Sequence, residues 1–230
     1  MSVTILTIET ATVPFSVSIG DEQGNVFLVE NTERTSLASQ ITIMIRECCQ
    51  KANLKPAQLD AIAINEGPGS YTGLRIGMSV AKGLCFALNK PLILLSGLKA
   101  IANHVSGGII HQRDEILICS ALDARRDEVY LEIYDPVGKT ILPTTACILP
   151  VFLEELSGRT TKKIVTAGDG GHKLISTLGE YEYAESGIMS RADYLLPLAF
   201  EKYHHKDFAS IETSEPFYLK PPNITTPKVK

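Results

Sequence analysis

"TILTIETATVPFSVSIGDEQGNVFLV", residues 4–29, and "EILICSALDARRDEVYLEIYDPVGKTI", residues 115–141, set the same succession of apolar runs and polar turns twice in one chain. In the first stretch Val3–Ile8, Phe15–Ile19 and Val26–Val29 carry the β-branched and aromatic residues of strands, and "DEQGN" supplies the second turn. In the second, the pattern restarts at Ile116 as strand, turn, strand, a second turn at "DPVGK" and a third strand. Each stretch therefore predicts an antiparallel meander of three strands.

Outward from the first meander, Leu37, Ile41, Met44, Ile45 and Cys48 recur at helical spacing and predict an amphipathic helix over Ser36–Ala52, capped at Thr35 or Ser36. "LDAIAIN" then reads as a short strand, apolar on both faces as in a covered parallel sheet. A glycine loop, a helix over Leu74–Leu88, a strand over Pro91–Leu95 and a helix over Gly97–Val105 complete the half. In the second half a helical segment around Val151–Leu156 precedes "KKIVTAGDGG", a strand running into glycines as "LDAIAINEGPG" does. The order strand, strand, strand, helix, strand, helix thus occurs twice. It predicts an α/β protein of two related lobes, each a mixed sheet flanked by helices. They are residues 1–105 and a smaller lobe, 106–230, whose C-terminal segment can return to the first. That order characterises the actin-like ATPase (ASKHA) fold, with two lobes facing across a nucleotide cleft. The fold admits sugar kinases, chaperone ATPases and carbamoyl transferases and chooses none of them.

Composition narrows the class. The chain has 230 residues, 44% hydrophobic and 21% charged, which suits an ordinary globular protein and neither disorder nor a coiled coil. A net charge of -4 argues against tight, autonomous nucleic-acid binding, so any nucleic acid needs a partner's surface. The tail lysines Lys220, Lys228 and Lys230 read as a solvated end rather than a binding arm. Five cysteines without CxxC spacing, Cys48 and Cys49 adjacent, suit neither a disulfide framework nor a zinc site. They imply reduced packing residues and a cytoplasmic setting. The apolar run Leu84–Leu95 is broken by Asn89, Lys90 and Pro91, and no export signal or membrane span is expected.

The chemistry-bearing stretch is "NEGPGSYTGLRIG", residues 65–77. Strand, glycine loop and helix is a geometry that offers backbone N–H groups and a helix N-terminus to an anion, with Gly67, Gly69, Ser70 and Thr72 as the loop residues. Yet Gly73 is followed by Leu74 and Arg75 where a Walker loop needs Lys, and Thr72 stands where a dinucleotide fingerprint needs Gly. Pro68 also removes a donor. Phosphate cradle and tight turn, the latter capped by Ser70 or Thr72, remain alternatives here. Gly73, Gly77 and Ala81 recur every four residues as a side-chain-poor stripe, against which either the chain's own sheet or another subunit can pack. Glu9 in the first hairpin is the candidate acid for a metal–phosphate, although Ala11 replaces the glycine such a hairpin favours. Asp123 and Asp127 are further carboxylates, read as turn formers with Arg125 and Arg126 exposed. The histidines 104, 111, 172, 204 and 205 form no HxxxH pair, so no metal site is expected, and no GxSxG elbow is present.

"GPGSYTGLRIG", with the opening "ILTIETAT", "KPLILLSGLKAIA", "DARRDEVY" and the late "PFYLK", resembles the bacterial TsaB family, also called YeaZ. The resemblance runs along most of the chain. It implies a non-catalytic subunit of the assembly that makes N6-threonylcarbamoyladenosine at position 37 of tRNAs reading ANN codons. The implied partners are the catalytic paralogue TsaD, the ATPase TsaE and, through the complex, tRNA, with a homodimer when the chain is alone. No intrinsic cofactor is implied, and ATP or ADP would sit at the complex interface. The catalytic paralogue carries a metal-binding HxxxH after a "KPLI"-like strand, where this chain has Gly97 and Ile101. The family's pairing surface implies an interface on the helices from Ser36 and Gly73, with Gly73, Gly77 and Ala81 as the contact stripe and Ile41 and Ile45 beside it. Thr35-Ser36 departs from the family's His-Ser. The alternative is a stand-alone actin-fold ATPase or small-molecule kinase using Glu9.

Overall fold

The computed structural model describes residues 2–33, 36–108, 116–148, 163–175, 183–185 and 187–220. Thr35, His111, Lys228, Lys230 and the expected helix over Val151–Leu156 lie outside them. The first half runs β1 (Thr4–Glu9), β2 (Phe15–Asp21), β3 (Val26–Asn31), α1 (Leu37–Lys51), β4 (Ala61–Gly67), α2 (Tyr71–Leu88), β5 (Leu92–Ser96) and α3 (Gly97–Gly108). The second runs β6 (Ile116–Asp123), β7 (Glu128–Tyr134), β8 (Thr140–Ile148), β9 (Lys163–Ala167), α4 (Gly171–Ile175), β10 (Tyr183–Glu185) and α5 (Leu196–His204).

The sheets have the orders β3-β2-β1-β4-β5 and β10-β9-β6-β7-β8. Read from β8 inward, the second repeats the first: third, second, first, fourth, fifth strand of its half. In both, the meander is antiparallel and the fourth strand joins the first in parallel. The duplication legible in sequence is thus a duplication of topology.

Side-chain alternation assigns the two faces of the first sheet. Leu6, Ile8, Ile62 and Ile64 point into a core shared with α1 and α2, while Ile5, Ala61 and Ala63 point the other way, where α5 packs. The small alanines let helices approach the second face closely. The helix α3 belongs to both lobes: Ala100 joins the core beneath the first sheet, and Leu98, Ile101, Ala102 and Val105 pack on Ile116, Ile118 and Val165 of the second. From α5 the chain runs back over the first lobe, bridging Ala209 to Leu92 at the open edge of β5.

The glycine loop starts its helix earlier than the sequence predicts. The Ser70 hydroxyl accepts from the Gly73 N–H at 3.2 Å, so α2 begins at Tyr71. It ends at Asn89, whose φ of 52° is the left-handed conformation of a C-cap.

Candidate functional site between the lobes

The carboxyl ends of β1 and β4 meet the C-terminal segment around Glu9, which is fully buried. Its Oε1 accepts from the Ala11 N–H at 2.7 Å. Its Oε2 accepts from Asn65 Nδ2 at 2.7 Å and from the Ser190 hydroxyl at 2.6 Å. Burial pushes the Glu9 carboxyl above its ordinary range, the three hydrogen bonds oppose that rise, and Asp169 of the facing lobe adds a small upward push. Asp169 is itself pushed upward by burial, while its Oδ1 accepts from the Asp123 N–H at 3.0 Å.

Asn65 is the hub. While its Nδ2 holds Glu9, its Oδ1 accepts from the N–H groups of Gly67, at 2.9 Å, and Gly97, at 3.0 Å. One side chain therefore ties the glycine loop, the start of α3 and the first hairpin together. Ser70 donates its own N–H to Ala11 O at 2.7 Å. The loop lies so close to the hairpin that a Cβ on Gly69 would stand 2.7 Å from Ala11 O. Gly67 is pinned from the other side: its φ is +124°, and a Cβ there would stand 2.6 Å from Phe217 O.

These bonds build a tight turn. The N–H groups of Gly67 and Ser70 are spent inside the chain, Pro68 has none, and the Ser70 side chain caps α2. Thr72 stands apart, exposed on the first turn of α2. Of the candidate anion-site residues the structure links Glu9 to Gly67 through Asn65, and it turns them inward. Neither Asn65 nor Ser190 was singled out from sequence.

The small-residue stripe of α2 faces inward. A Cβ on Gly73 would collide with Thr10 O, and one on Gly77 would stand 3.0 Å from Ile64 Cδ1 with Thr10 Oγ1 closer still. Ala81, Ile41 and Ile45 are buried in the same core. All five residues pack within the chain, Gly73 and Gly77 giving α2 its close approach to Thr10 just beyond β1 and to Ile64 of β4. On the outer faces of α1 and α2, Ile43 is 42% and Phe86 82% exposed. Gly97 opens α3, and Ile101 lies in the core against the second sheet. Among the described residues no three His, Cys, Asp or Glu side chains gather to hold a metal, and no helix is long and apolar enough to cross a membrane.

A second junction lies along the C-terminal strap. Phe217 donates its N–H to Glu66 O at 2.7 Å, and the Tyr218 ring packs at a tilt against Tyr71, centroids 4.7 Å apart. Arg75 lies over the other ring, 4.4 Å from the Tyr71 centroid, and donates to the Tyr218 hydroxyl at 3.3 Å. Two residues on, Lys220 forms an ion pair with Glu128 of the second lobe.

Two lobes of one topology, closed on each other through α3 and the Glu9 cluster, define a protein of the actin-like ATPase fold. A Bacteroides thetaiotaomicron protein described as having that fold superposes with a TM-score of 0.51 at 13% identity, over 86% of this chain and 95% of its own. YeaZ from Pseudomonas aeruginosa superposes with a TM-score of 0.76 at 26% identity, over 94% of this chain and all of its own. The tRNA threonylcarbamoyladenosine biosynthesis protein TsaB of Haemophilus influenzae is 29% identical over 95% of this chain and 94% of its own. A sequence model of the family TsaD, tRNA N6-adenosine threonylcarbamoyltransferase, matches residues 32–210. The chain belongs to this family, on the branch whose members are named TsaB or YeaZ.

Proposed function

We propose that the chain is the non-catalytic subunit of the assembly that forms N6-threonylcarbamoyladenosine at position 37 of tRNAs reading ANN codons, and that it pairs with and activates a catalytic TsaD-type paralogue. The observation that carries this reading is the closed Glu9 site. The acid an actin-like phosphotransferase would turn toward a metal–phosphate here accepts from Ala11, Asn65 and Ser190 and has no exposed surface. Opening it would strand a carboxylate and a hub amide whose hydrogen bonds the fold depends on.

Pairing uses the outer faces of α1 and α2, centred on Ile43 and Phe86 with half-buried Ile76 and Val80 beside them. The same face joins two copies when the chain is alone. TsaE completes the assembly, and ATP or ADP sits at a subunit junction. The test is reconstituted tRNA threonylcarbamoylation with purified components. Modification requires the chain, and Ile43→Asp with Phe86→Asp abolishes association with the paralogue while leaving the unfolding midpoint unchanged. Modification at the full rate without the chain, or ATP turnover by the chain alone, would sink the proposal.

A further inference from the structure

The turn joining β6 to β7 holds two adjacent arginines in an unfavourable backbone. Arg125 and Arg126 have φ of 71° and 51°, left-handed values that β-carbon-bearing residues rarely adopt and that a pair of neighbours adopts more rarely still. Hairpin turns of this sign favour Asn-Gly. Two of the three neighbouring acids, Asp123 and Glu128, are bound elsewhere. Lys173 takes Asp123 Oδ1 and also donates to Arg126 O at 2.8 Å and Glu128 O at 3.3 Å, clamping the turn from beneath. Lys220 takes the Glu128 carboxylate. Among the described residues neither guanidinium has an ion-pair or hydrogen-bond partner, and Asp127, also exposed, pairs with neither.

The strap ties this turn, through Lys220, to a segment that carries aromatic residues. Lys220 touches Glu128, and Glu128 donates its N–H to Arg125 O at 3.2 Å. Tyr218, tilted against Tyr71 and bonded to Arg75, lies two residues before Lys220, a span of at most about 7 Å of extended chain. Phe217, 45% exposed, adjoins it. Two guanidinia without a partner among the described residues, linked by the strap to an exposed ring at the junction of two lobes, offer what a single-stranded RNA segment meets on a protein: cations for its phosphates and a ring for an unstacked base. The acidic charge of the whole chain makes this a local device that acts beside a partner's surface.

We infer that this seam binds a single-stranded RNA loop, Arg125 and Arg126 taking backbone phosphates and Phe217 stacking on a base. The inference rests on the proposed role in tRNA modification, which supplies the RNA. The experiment titrates a fluorescent RNA hairpin with an unpaired loop, and a fully paired duplex, against the chain alone and against the chain assembled with its catalytic paralogue, over a series of salt concentrations. Arg125→Asn/Arg126→Gly relieves the turn and so raises the unfolding midpoint, preserves assembly, and weakens hairpin binding. The slope of log affinity against log salt falls by about 1.4, two phosphate contacts at ~0.7 each. Phe217→Ala weakens the hairpin roughly 5- to 150-fold and leaves duplex binding unchanged. Unchanged hairpin affinity and slope in the stabilised double variant would overturn the seam, as would loss of assembly in place of RNA affinity, which would make the turn a protein contact. Failure of the wild-type chain to assemble would count against the proposed function alone, since titration of the unassembled chain at low salt still reads the weaker contribution of the seam.

Discussion

Replacing Gly77 and Gly83 by alanine, one at a time, tests where the face of α2 is spent. Both lie inside the helix, so each alanine gains about 0.8–1 kcal/mol of helix propensity. Gly83 is exposed and its Cβ would meet nothing within 4 Å, so Gly83→Ala stabilises the chain by that amount. At Gly77 the new methyl meets Ile64 Cδ1 at 3.0 Å and Thr10 Cγ2 at 3.2 Å, with Thr10 Oγ1 nearer still. Overpacking of a closed core costs about 1–3 kcal/mol. Because the propensity gain is common to both, the gap between the variants isolates that overlap, and about 1–3 kcal/mol is expected in urea unfolding. Thr10→Ala removes both offending Thr10 atoms and a buried hydroxyl that has no hydrogen-bond partner among the described residues, so in that background the gap shrinks to the remaining contact with Ile64 Cδ1. Equal stability of the two single variants would refute the intramolecular placement and return the stripe to a subunit interface.

Asn65→Ala leaves the N–H groups of Gly67 and Gly97 and one Glu9 oxygen without their partner, and is expected to cost about 3–5 kcal/mol, read as a large fall in the thermal midpoint. Glu9 is expected to shape the pH dependence of stability. Its folded value lies above the ordinary 4.5, so the folded state holds the proton more tightly than the unfolded chain, and stability falls as pH rises from 4.5 through the raised value. Subtracting the curve of Glu9→Gln from that of the wild type across this range isolates the contribution; a difference that is flat or rises with pH would contradict the burial assigned to Glu9.

The architecture was legible because a strand run is a local pattern. "AIAIN" alternates small and large residues, and the structure turns the alanines toward α5 and the isoleucines toward α1 and α2. The duplication was legible for the same reason, since turns and runs repeat even where residues do not. The use made of the glycine stripe was not legible. Spacing by four fixes a face of a helix but not its neighbour, and here the neighbour is Thr10 in a hairpin more than sixty residues earlier. The Glu9 cluster was half visible: Glu9 and Asn65 both fall within quoted motifs, whereas Ser190 lies 181 residues from its partner in a segment with no motif of its own. The α5 helix escaped notice because nothing in the first half predicts an added helix after the repeat has ended.

The distance from Glu9 to Ser190 also sets an order of events in synthesis. Chains emerge at about 5–20 residues per second, so the carboxylate waits on the order of 10–40 s for the hydroxyl that completes its set of donors. During that interval the first sheet lacks α5 over one face, and α3 has no second sheet to lie on. Although the repeat suggests two units made in turn, the amino-terminal lobe cannot mature on the ribosome as a finished domain. It reaches its native packing only when the last quarter of the chain arrives, and until then its alanine-lined face is open to whatever binds nascent apolar surface.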